Sequence, residues 1–254
     1  ETANRSTGNK SVQPDIDSNN DKSVAPLNFK QVIATALHAL KGSRALRYTI
    51  AGGVCTHFVL GAATFDQLWL VQERGFERAE IARMCGLIFA SGGVLGALFG
   101  GIGSDFFIRK TGLSRQTFIF WLLIFCAPMN LAYRLTEAGS MWFWFWMFMA
   151  VFQVGALYGP TFAAVQELAP AKIRATVVAF YLLSLNVVGL GVGVSVTGIA
   201  VDALIANEVS TPYTWALVGF TLLSMLAIPL FYLAGNYVKQ ETVAYQKSSS
   251  LVSA

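Results

Sequence analysis

Polar side chains that could do chemistry lie inside long apolar runs of this chain. His57, Asp66 and Gln67 share one run, and the further candidates, in two other runs, are Gln153, Tyr158, Tyr181 and Asn186. A charged or strongly polar group is costly in hydrocarbon, so inside a membrane helix it usually faces a cavity or a polar partner. These side chains are therefore candidates for functional positions inside the predicted helices.

The spacing of His57 and Asp66 separates their positions on a helix. Asp66 follows His57 by nine residues, and at about 100° per residue the two side chains point to opposite faces. They are not expected to line one wall together. Asp66 lies near the end of its run, at the outer mouth, where it could reach interfacial water or pair with Arg74. A structural polar contact is the alternative for both residues.

The composition indicates the class of protein. Hydrophobic residues make up 55% of the chain, charged residues 13%, and the mean hydropathy is +0.55. Six apolar runs of about 20 residues or more require helices, because backbone groups find no water in hydrocarbon. We predict an all-α, multi-pass integral membrane protein with six transmembrane helices. Cys55, Cys85 and Cys126 lie inside these runs without a metal-ligand spacing, so they are interpreted as buried hydrophobic residues, and no metal or cofactor is expected.

The chain divides into four predicted parts. Residues 1–28 form a flexible polar linker, 29–42 an amphipathic helix, 43–240 the six-helix transmembrane domain, and 241–254 a tail. Lysine and arginine are commoner at the span ends next to the linker and tail, which places both termini of this chain in the cytoplasm. The net charge of +4 is spread over these ends, which suits an anionic lipid bilayer and argues against a nucleic-acid partner.

Two glycine-rich stretches carry the most specific pattern. One contains Pro160-Thr161, Gln166, Arg174-Ala175 and Asn186, followed by Gly189, Gly191, Gly193, Gly198 and Asp202, and its glycines predict close helix packing. The other runs from Gly101 through Asp105, Arg109 and Lys110 to Gly112. Together these stretches resemble the major facilitator superfamily and, within it, the spinster-like branch. Val194 departs from the proline that is usual there, and Phe106 from the basic residue that usually follows the aspartate.

The resemblance implies the C-terminal six-helix half of a twelve-helix secondary transporter in a bacterial inner membrane. The missing N-terminal half would be its partner, and a small amphipathic solute or organic anion would cross by alternating access. Proton coupling is compatible with this, with its carboxylates expected in the missing half. The resemblance also implies that the first, second, fourth and fifth spans line a central substrate cavity, while the third and sixth face outward. The cavity candidates are then His57, Gln67, Gln153, Tyr158, Tyr181 and Asn186, with Asp66 at the outer mouth. A cytoplasmic latch would be formed by Gly101, Asp105, Arg109, Lys110, Glu167 and Arg174.

Two other classes of function stay open. One is a six-helix accessory subunit without transport of its own. The other is an intramembrane protease, for which Ser91 with His57, or Asp105 after Gly103-Ser104, is the nearest pattern, but neither motif is complete and no enzyme is expected. Because the chain begins at Glu1 and its first methionine is Met84, we also expect a fragment or a processed piece.

Overall fold

The computed structural model describes residues 29–252, so the predicted linker 1–28 lies outside the described residues. Within that range the regular elements are all helical. The helices are α1 Phe29–Gly42, α2 Arg44–Ala62, α3 Asp66–Gln72, α4 Arg78–Thr111, α5 Arg115–Leu135, α6 Met141–Leu168, α7 Arg174–Ser184, α8 Val192–Ala206, α9 Pro212–Ser224 and α10 Ala227–Val252. The amphipathic segment corresponds to α1, which packs against α7 and α2, and the predicted tail continues α10 as far as Val252.

Six helical stretches in the described part of the chain are long and apolar enough to cross a membrane. We number them as spans 1 to 6: Arg44–Gln72, Arg78–Thr111, Arg115–Leu135, Met141–Leu168, Ala171–Ala206 and Pro212–Ala244. The predicted all-α membrane protein with six spans is therefore confirmed. An even number of spans returns the chain to the side of the membrane from which span 1 starts. The ends of α4 and α6 and the start of α5 lie on that same side.

Several helices begin and end where the sequence supplies a capping residue. Ser43, Ser114 and Ser140 precede α2, α5 and α6, and each side chain accepts a hydrogen bond from the backbone N–H three residues later. Such a bond satisfies one of the free donors at a helix N-terminus. Gly112 ends α4 with a φ of 67°, a left-handed conformation that glycine adopts without strain.

Three spans contain irregular turns that hydrophobic periodicity does not predict. In span 1 a 3-10 turn, Ala63–Phe65, joins α2 to α3. In span 5 a π-helical segment, Leu185–Gly191, joins α7 to α8. In span 6 a turn at Met225 and Leu226 separates α9 from α10. A π-helical segment inside an α-helix is rare and is often found at a functional site, and this one contains Asn186.

Glycines let neighbouring spans touch through their backbones. Between α4 and α6, a Cβ on Gly100 would lie 2.1 Å from the carbonyl oxygen of Ala156. Between spans 1 and 5, a Cβ on Gly193 would lie 2.7 Å from the carbonyl oxygen of Phe58, and one on Gly189 would lie 2.5 Å from the Cβ of His57. These positions have no room for a larger residue, as expected where small residues bring membrane helices together.

The two remaining glycines of the predicted packing set lie in looser surroundings. A Cβ on Gly198 would meet the ring of Phe65 at 3.4 Å, an ordinary van der Waals contact. At Gly191 the nearest atom is the carbonyl oxygen of Asn186, which belongs to the same span. Close approach of a neighbouring helix therefore occurs at Gly189 and Gly193.

Spans 1 and 6 hold each other at both ends through carboxylates. The Glu73 carboxylate, after α3, accepts hydrogen bonds from the backbone N–H groups of Tyr213 and Thr214 at 2.6 and 2.9 Å. At the opposite end, the Glu241 carboxylate in α10 accepts from the N–H groups of Arg44 and Ala45 at 2.9 and 3.1 Å. Each span thus caps the N-terminus of the other, where a negative charge is favoured by the helix dipole.

The prediction that spans 3 and 6 face outward holds for only one side of each helix. Each does expose one side, with Trp121 and Tyr232 more than half exposed at 56% and 53%. The other side packs inward, because Ile119 in span 3 and Phe231 in span 6 are fully buried. The Phe231 ring lies against Gly52 of span 1, where an added Cβ would be 2.8 Å from the ring. A uniformly apolar sequence does not distinguish the lipid-facing side of such a helix from its packed side.

Candidate functional site

A cavity of about 290 Å³ lies inside the bundle and is bordered by spans 1, 2, 3, 4 and 6. This main cavity is close to the lower end of the range usual for small-molecule sites. Much of its wall is apolar, with Val59, Phe89, Met147 and Val151 among the lining residues. The polar side chains are concentrated in a small set: Asp66, Asn130, Tyr133, Arg134, Gln153, Tyr158 and Thr221. An apolar wall with a few convergent polar groups is the usual character of a ligand site.

A second, smaller cavity adjoins the main one. It has a volume of about 30 Å³ and shares Gln153, Tyr158, Val59 and Leu60 with the main cavity. His57 lines this side cavity. His57 and Asp66 therefore line two neighbouring cavities that share part of their walls.

The ring of His57 is oriented by a backbone carbonyl. Its Nδ1 lies 2.9 Å from the Gly53 carbonyl oxygen, which can only accept, so Nδ1 carries the hydrogen. The Nε2 atom is then an acceptor, and the Tyr158 hydroxyl, 3.4 Å away, donates to it. The two rings meet edge-on with centroids 5.7 Å apart. Tyr158 is 43% exposed, so this pair presents a hydroxyl to the open side of the bundle.

An amide pair crosses the region where the two cavities meet. The Asn130 side chain donates its Nδ2 hydrogen to the Gln153 Oε1 at 2.6 Å. This bond joins span 3 to span 4 and leaves the Asn130 Oδ1 oxygen and the Gln153 NH₂ able to bind a solute. Asn130 is not among the site residues predicted from the sequence. It stands four residues before Arg134, so both lie on one helix face, and that spacing was the signal for it.

The charged end of the main cavity is built around Arg134. Its Nη1 donates to the Asp66 Oδ1 at 2.7 Å, so the partner of Asp66 is Arg134 and not Arg74 as considered from the sequence. The Arg134 guanidinium also lies over the rings of Trp69 and Tyr133, 5.0 and 4.6 Å from their centroids. We call Asp66, Trp69, Tyr133 and Arg134 the Arg134 cluster. It connects spans 1 and 3 where both are buried.

Arg74 supports this cluster from the loop after α3. Its guanidinium lies 4.7 Å from the Trp69 ring centroid, on the same ring as Arg134. It donates hydrogen bonds to the backbone carbonyls of Arg134 and Thr136. Burial lowers the pKa of the Arg74 guanidinium, while the neighbouring Glu73 charge opposes that shift. The Trp69 indole N–H in turn donates to the Thr214 hydroxyl at 2.8 Å, which links the cluster to span 6.

Three of the predicted cavity residues are not brought to either cavity. Gln67 is exposed. Tyr181 is fully buried, with its ring on Phe162 at a centroid distance of 5.2 Å. Asn186 is exposed, and its amide donates to the Leu182 carbonyl oxygen of the same span at 2.9 Å. The structure thus assembles His57, Asp66, Gln153 and Tyr158 and adds Asn130, Tyr133 and Arg134.

A second charged group lies at the end of the bundle where spans 2 and 4 finish. Arg115 Nη1 donates to the Asp105 carboxylate at 2.7 Å, and Arg115 Nη2 donates to Glu167 at 2.8 Å. Arg115 also donates to the Ser104 hydroxyl at 2.7 Å. We call Asp105, Arg115 and Glu167 the Arg115 cluster. Arg115 was counted from the sequence only as a topology charge, yet it joins two residues of the predicted latch.

The other predicted latch residues do not join this cluster. Arg109 and Lys110 are exposed in the last turn of α4, and the Lys110 ammonium lies 5.8 Å from the Phe106 ring centroid. Arg174 is exposed at the start of α7. Within residues 29–252, the ion pairs run from Arg115 and from Arg134. Gly101 has open space where a Cβ would point.

The residues considered for other chemistries have different partners. Ser91 lies within the continuous helix α4, and its hydroxyl donates to the Leu87 carbonyl oxygen at 2.7 Å. Asp105 is paired with Arg115 rather than with a second aspartate. In the part of the chain that the structure describes, no three histidine, cysteine, aspartate or glutamate side chains come together in a way that could hold a metal ion.

Comparison with known proteins gives the fold a precedent. A crystal structure of a bacterial homologue of the human lysosomal transporter Spinster, inward-facing and unoccupied, superposes with a TM-score of 0.66 at 20% identity over 80% of this chain. The inward-facing, occupied form of that bacterial homologue gives a TM-score of 0.65 at 19% identity over 78% of this chain. The chain has the fold of half a Spinster-type transporter. The predicted fold, a six-helix bundle equivalent to half of such a protein, is therefore confirmed.

The same comparisons set the extent of the likeness. The chain spans about half the length of both structures, 50% in each case. No family model and no curated protein matches the chain. The likeness is one of fold, and at this identity the residues of the site are not carried over from those structures.

Proposed function

We propose that this chain is half of a secondary transporter that moves a small amphipathic solute or an organic anion across a membrane by alternating access. The observation that supports it most directly is the main cavity, in which Asp66, Asn130, Gln153 and Arg134 come together inside a membrane-spanning bundle. The bundle has the fold of half of a protein described as a homologue of a lysosomal transporter. An apolar wall with a small polar set suits a solute with one polar and one apolar part.

The second half of the transporter would be six further spans, either in the same chain or in a partner. In facilitator-type transporters the solute binds near the middle of the membrane between two halves that rock against each other. The exposed residues Gln67 and Asn186 would then face that partner half, together with the hydroxyl of Tyr158. Basic residues at the span ends near both described termini favour a cytoplasmic location for that side, in a bacterial inner membrane.

The Arg115 cluster would be the latch of this half. Asp105 belongs to span 2, Arg115 to span 3 and Glu167 to span 4, so one guanidinium joins three spans at the same end of the bundle. Asp105 and Glu167 are 58% and 51% exposed, which leaves both carboxylates free to exchange partners. Arg109, Lys110 and Arg174 lie at the same end and would be the alternative partners in another conformation.

The transport proposal is tested by uptake into vesicles that contain the complete protein. Vesicles with and without the protein are incubated in a mixture of amphipathic and anionic metabolites, and their contents are compared by mass spectrometry. We expect at least one solute to accumulate only with the protein. Gln153→Leu should abolish that accumulation, because it removes both the bond to Asn130 and a polar group that lines both cavities.

Trp215→Leu is the matched control, because Trp215 is 55% exposed and lies on the outer side of α9. Uptake by this variant should equal that of the unmodified protein. A complete protein that accumulates no solute above empty vesicles would contradict the proposal and would favour an accessory subunit.

A further inference from the structure

The two members of the Asp66–Arg134 pair differ in their access to the main cavity. Both residues line it. The Asp66 side chain keeps 23% of its surface exposed, whereas the Arg134 side chain keeps 5%. The carboxylate is therefore the member that a proton or a solute reaches first. The guanidinium lies behind it and is covered as long as the pair is intact.

The two members also differ in their other partners. The hydrogen bonds described for Asp66 both run to Arg134, from Nη1 at 2.7 Å and from Nη2 at 3.4 Å. Arg134 has in addition the faces of Trp69 and Tyr133 within 5.0 Å. Aromatic faces attract a guanidinium, and more strongly where water is excluded. If Asp66 lost its charge, Arg134 would stay in place between these rings and would present an uncompensated positive charge to the cavity.

Asp66 is the acidic residue that lines this end of the main cavity. The groups packed around it are as follows. From α5 it faces Arg134 and Tyr133, and from α4 it faces Cys85. Arg74 and Glu73 lie behind Trp69, and Glu73 is occupied by the N-terminus of α9. From α6 and α9 the lining residues at this cavity are uncharged, namely Met147, Ala150 and Thr221 among others.

One further atom at this site lacks a partner. Within the described residues, the hydroxyl of Tyr133 is buried and makes no hydrogen bond. A buried hydroxyl without a partner is unfavourable, so such a group in a cavity wall is a candidate donor to a bound ligand. Tyr133 precedes Arg134 in the chain and lines the same cavity. The wall of the main cavity therefore holds both a hydroxyl donor and a guanidinium, two groups that bind an anionic oxygen.

We propose that Asp66 is a proton site that controls access of an organic anion to Arg134. A proton from water adds to a carboxylate oxygen of Asp66, the hydrogen bonds from Arg134 to Asp66 break, and the anionic group of the solute takes their place on Arg134 and the Tyr133 hydroxyl. The reverse steps on the other side of the membrane release both. This deepens the proposed function and rests on it, because it names the solute class and places the coupling site in this half of the transporter.

The proposal requires reciprocal coupling between the proton and the anion. A charged carboxylate and an anionic solute compete for one guanidinium, so either one weakens the other. By linkage, protonation must raise the affinity for the anion by the same factor by which the anion favours protonation. Couplings of this kind typically amount to about 5–150-fold in affinity. A proton and an anion that bind together also add no net charge to a poorly hydrated cavity, which avoids the cost of burying an unpaired ion.

The test measures binding, without any gradient, in the full-length protein in detergent. The probe is octanesulfonate, which remains an anion from acidic to alkaline pH, and its affinity is measured by calorimetry at both extremes. Octyltrimethylammonium, of the same length and opposite charge, is the matched probe. We expect the affinity for octanesulfonate to rise at least about tenfold on acidification, and the affinity for the cation not to rise.

Asp66→Asn imitates the protonated state and should bind octanesulfonate at alkaline pH as tightly as the unmodified protein does at acidic pH. Asp202→Asn makes the same chemical change at an exposed aspartate near the end of α8 and should keep the original pH dependence. Infrared difference spectra between acidic and alkaline pH give an independent readout. A protonated carboxylic acid band should appear in the unmodified protein and in Asp202→Asn, and be reduced in Asp66→Asn.

An affinity for octanesulfonate that does not change with pH in the unmodified protein overturns the proposal, and this result needs no variant to fold. So does an Asp66→Asn protein that retains the original pH dependence. Both results leave the transport proposal standing, because that proposal is decided by accumulation of solutes in vesicles.

Arg134→Lys keeps the charge but loses the planar guanidinium, and it should weaken octanesulfonate binding at acidic pH.

Discussion

Two arginines in this bundle each bind carboxylates at 2.7–2.8 Å, but they do so in different surroundings. Arg134 is 5% exposed and lies between aromatic rings inside the bundle. Arg115 is 12% exposed, but its partners Asp105 and Glu167 are 58% and 51% exposed at the end of the bundle. The bond lengths are nearly identical, so the difference between the two clusters is one of solvation.

Solvation decides what each ion pair can do. A buried pair is not a large source of stability by itself, but removing one partner leaves the other charge without compensation and is strongly unfavourable. A pair whose members reach water exchanges its bonds for bonds to water with little change in free energy. The Arg134 cluster is therefore suited to a state that changes only when a proton or anion is supplied. The Arg115 cluster is suited to a contact that opens and closes during each transport cycle.

The largest effect should come from breaking the buried pair on one side. Arg134→Ala leaves Asp66 charged in the cavity wall and removes the cation from the Trp69 and Tyr133 faces. We expect the free energy of unfolding to fall by about 3–5 kcal/mol, as for other buried pairs. Unfolding in mixed micelles with rising SDS, followed by circular dichroism, measures it.

The double variant Asp66→Asn with Arg134→Gln is the control, because it removes both charges and leaves no unpaired ion. It should be more stable than Arg134→Ala alone. If Arg134→Ala lost less than about 1 kcal/mol, the pair would have to be as well hydrated as an exposed one, and the contrast between the clusters would disappear.

A substitution that changes packing but no charge gives a reference value for the loss of stability. Gly100→Ala places a methyl group 2.1 Å from the Ala156 carbonyl oxygen, at the contact of α4 with α6 that lies between the two clusters. Inserting one carbon into a tight contact typically costs about 1–3 kcal/mol. Gly101→Ala, one residue along the same helix, meets no atom within 4 Å and should leave stability unchanged. If Gly100→Ala lost no more stability than Gly101→Ala, α4 and α6 would be able to move apart with no cost in free energy.

The features of the fold that could be predicted from the sequence are those that depend on residues close together in the chain. The number of spans follows from runs of apolar residues that are continuous in the chain. The half-transporter fold was predicted from a resemblance that two glycine-rich stretches carry, and the close helix contacts predicted for their glycines occur at Gly189 and Gly193. Those signals are local in the chain.

The site was predicted only in part, because its polar contacts join residues far apart in the sequence. His57, Asp66, Gln153 and Tyr158 line the cavities as predicted candidates, but Arg134, which lies at the end of an apolar run, was not among those candidates. The pairing of Asp66 with a residue 68 positions away depends on the tertiary arrangement of spans 1 and 3. The π-helical segment had no sequence signal beyond its glycines, so the outward position of Asn186 was not foreseen.

Glu73 and Glu241 are carboxylates that bind uncharged backbone N–H groups. Their removal should have an intermediate effect on the free energy of unfolding. Thr211, before α9, provides no side-chain cap, so Glu73 is the capping group for that helix. Ser43 already caps α2, so Glu241 is the second capping group there. Glu73→Ala should therefore cost about 1–2 kcal/mol and Glu241→Ala less than about 1 kcal/mol, in line with losses of helix caps. The same SDS unfolding series measures both, and a larger loss for Glu241→Ala would contradict the assignment.

The smallest effect on stability is expected at the exposed cluster, where the effect on transport should be the larger one. Arg115→Gln should change the free energy of unfolding by about 0–1 kcal/mol, because Asp105 and Glu167 are hydrated without it. The same change removes a contact among three spans, so it should alter the rate of solute uptake in vesicles.

Salt distinguishes the two clusters without any variant, since screening acts on charges that reach water and much less on buried ones. Uptake by the unmodified protein should therefore vary with salt concentration, and uptake by Arg115→Gln should vary less. An Arg115→Gln protein that unfolds as readily as Arg134→Ala would show that both arginines hold the bundle together, and the latch would then have to be sought among Arg109, Lys110 and Arg174.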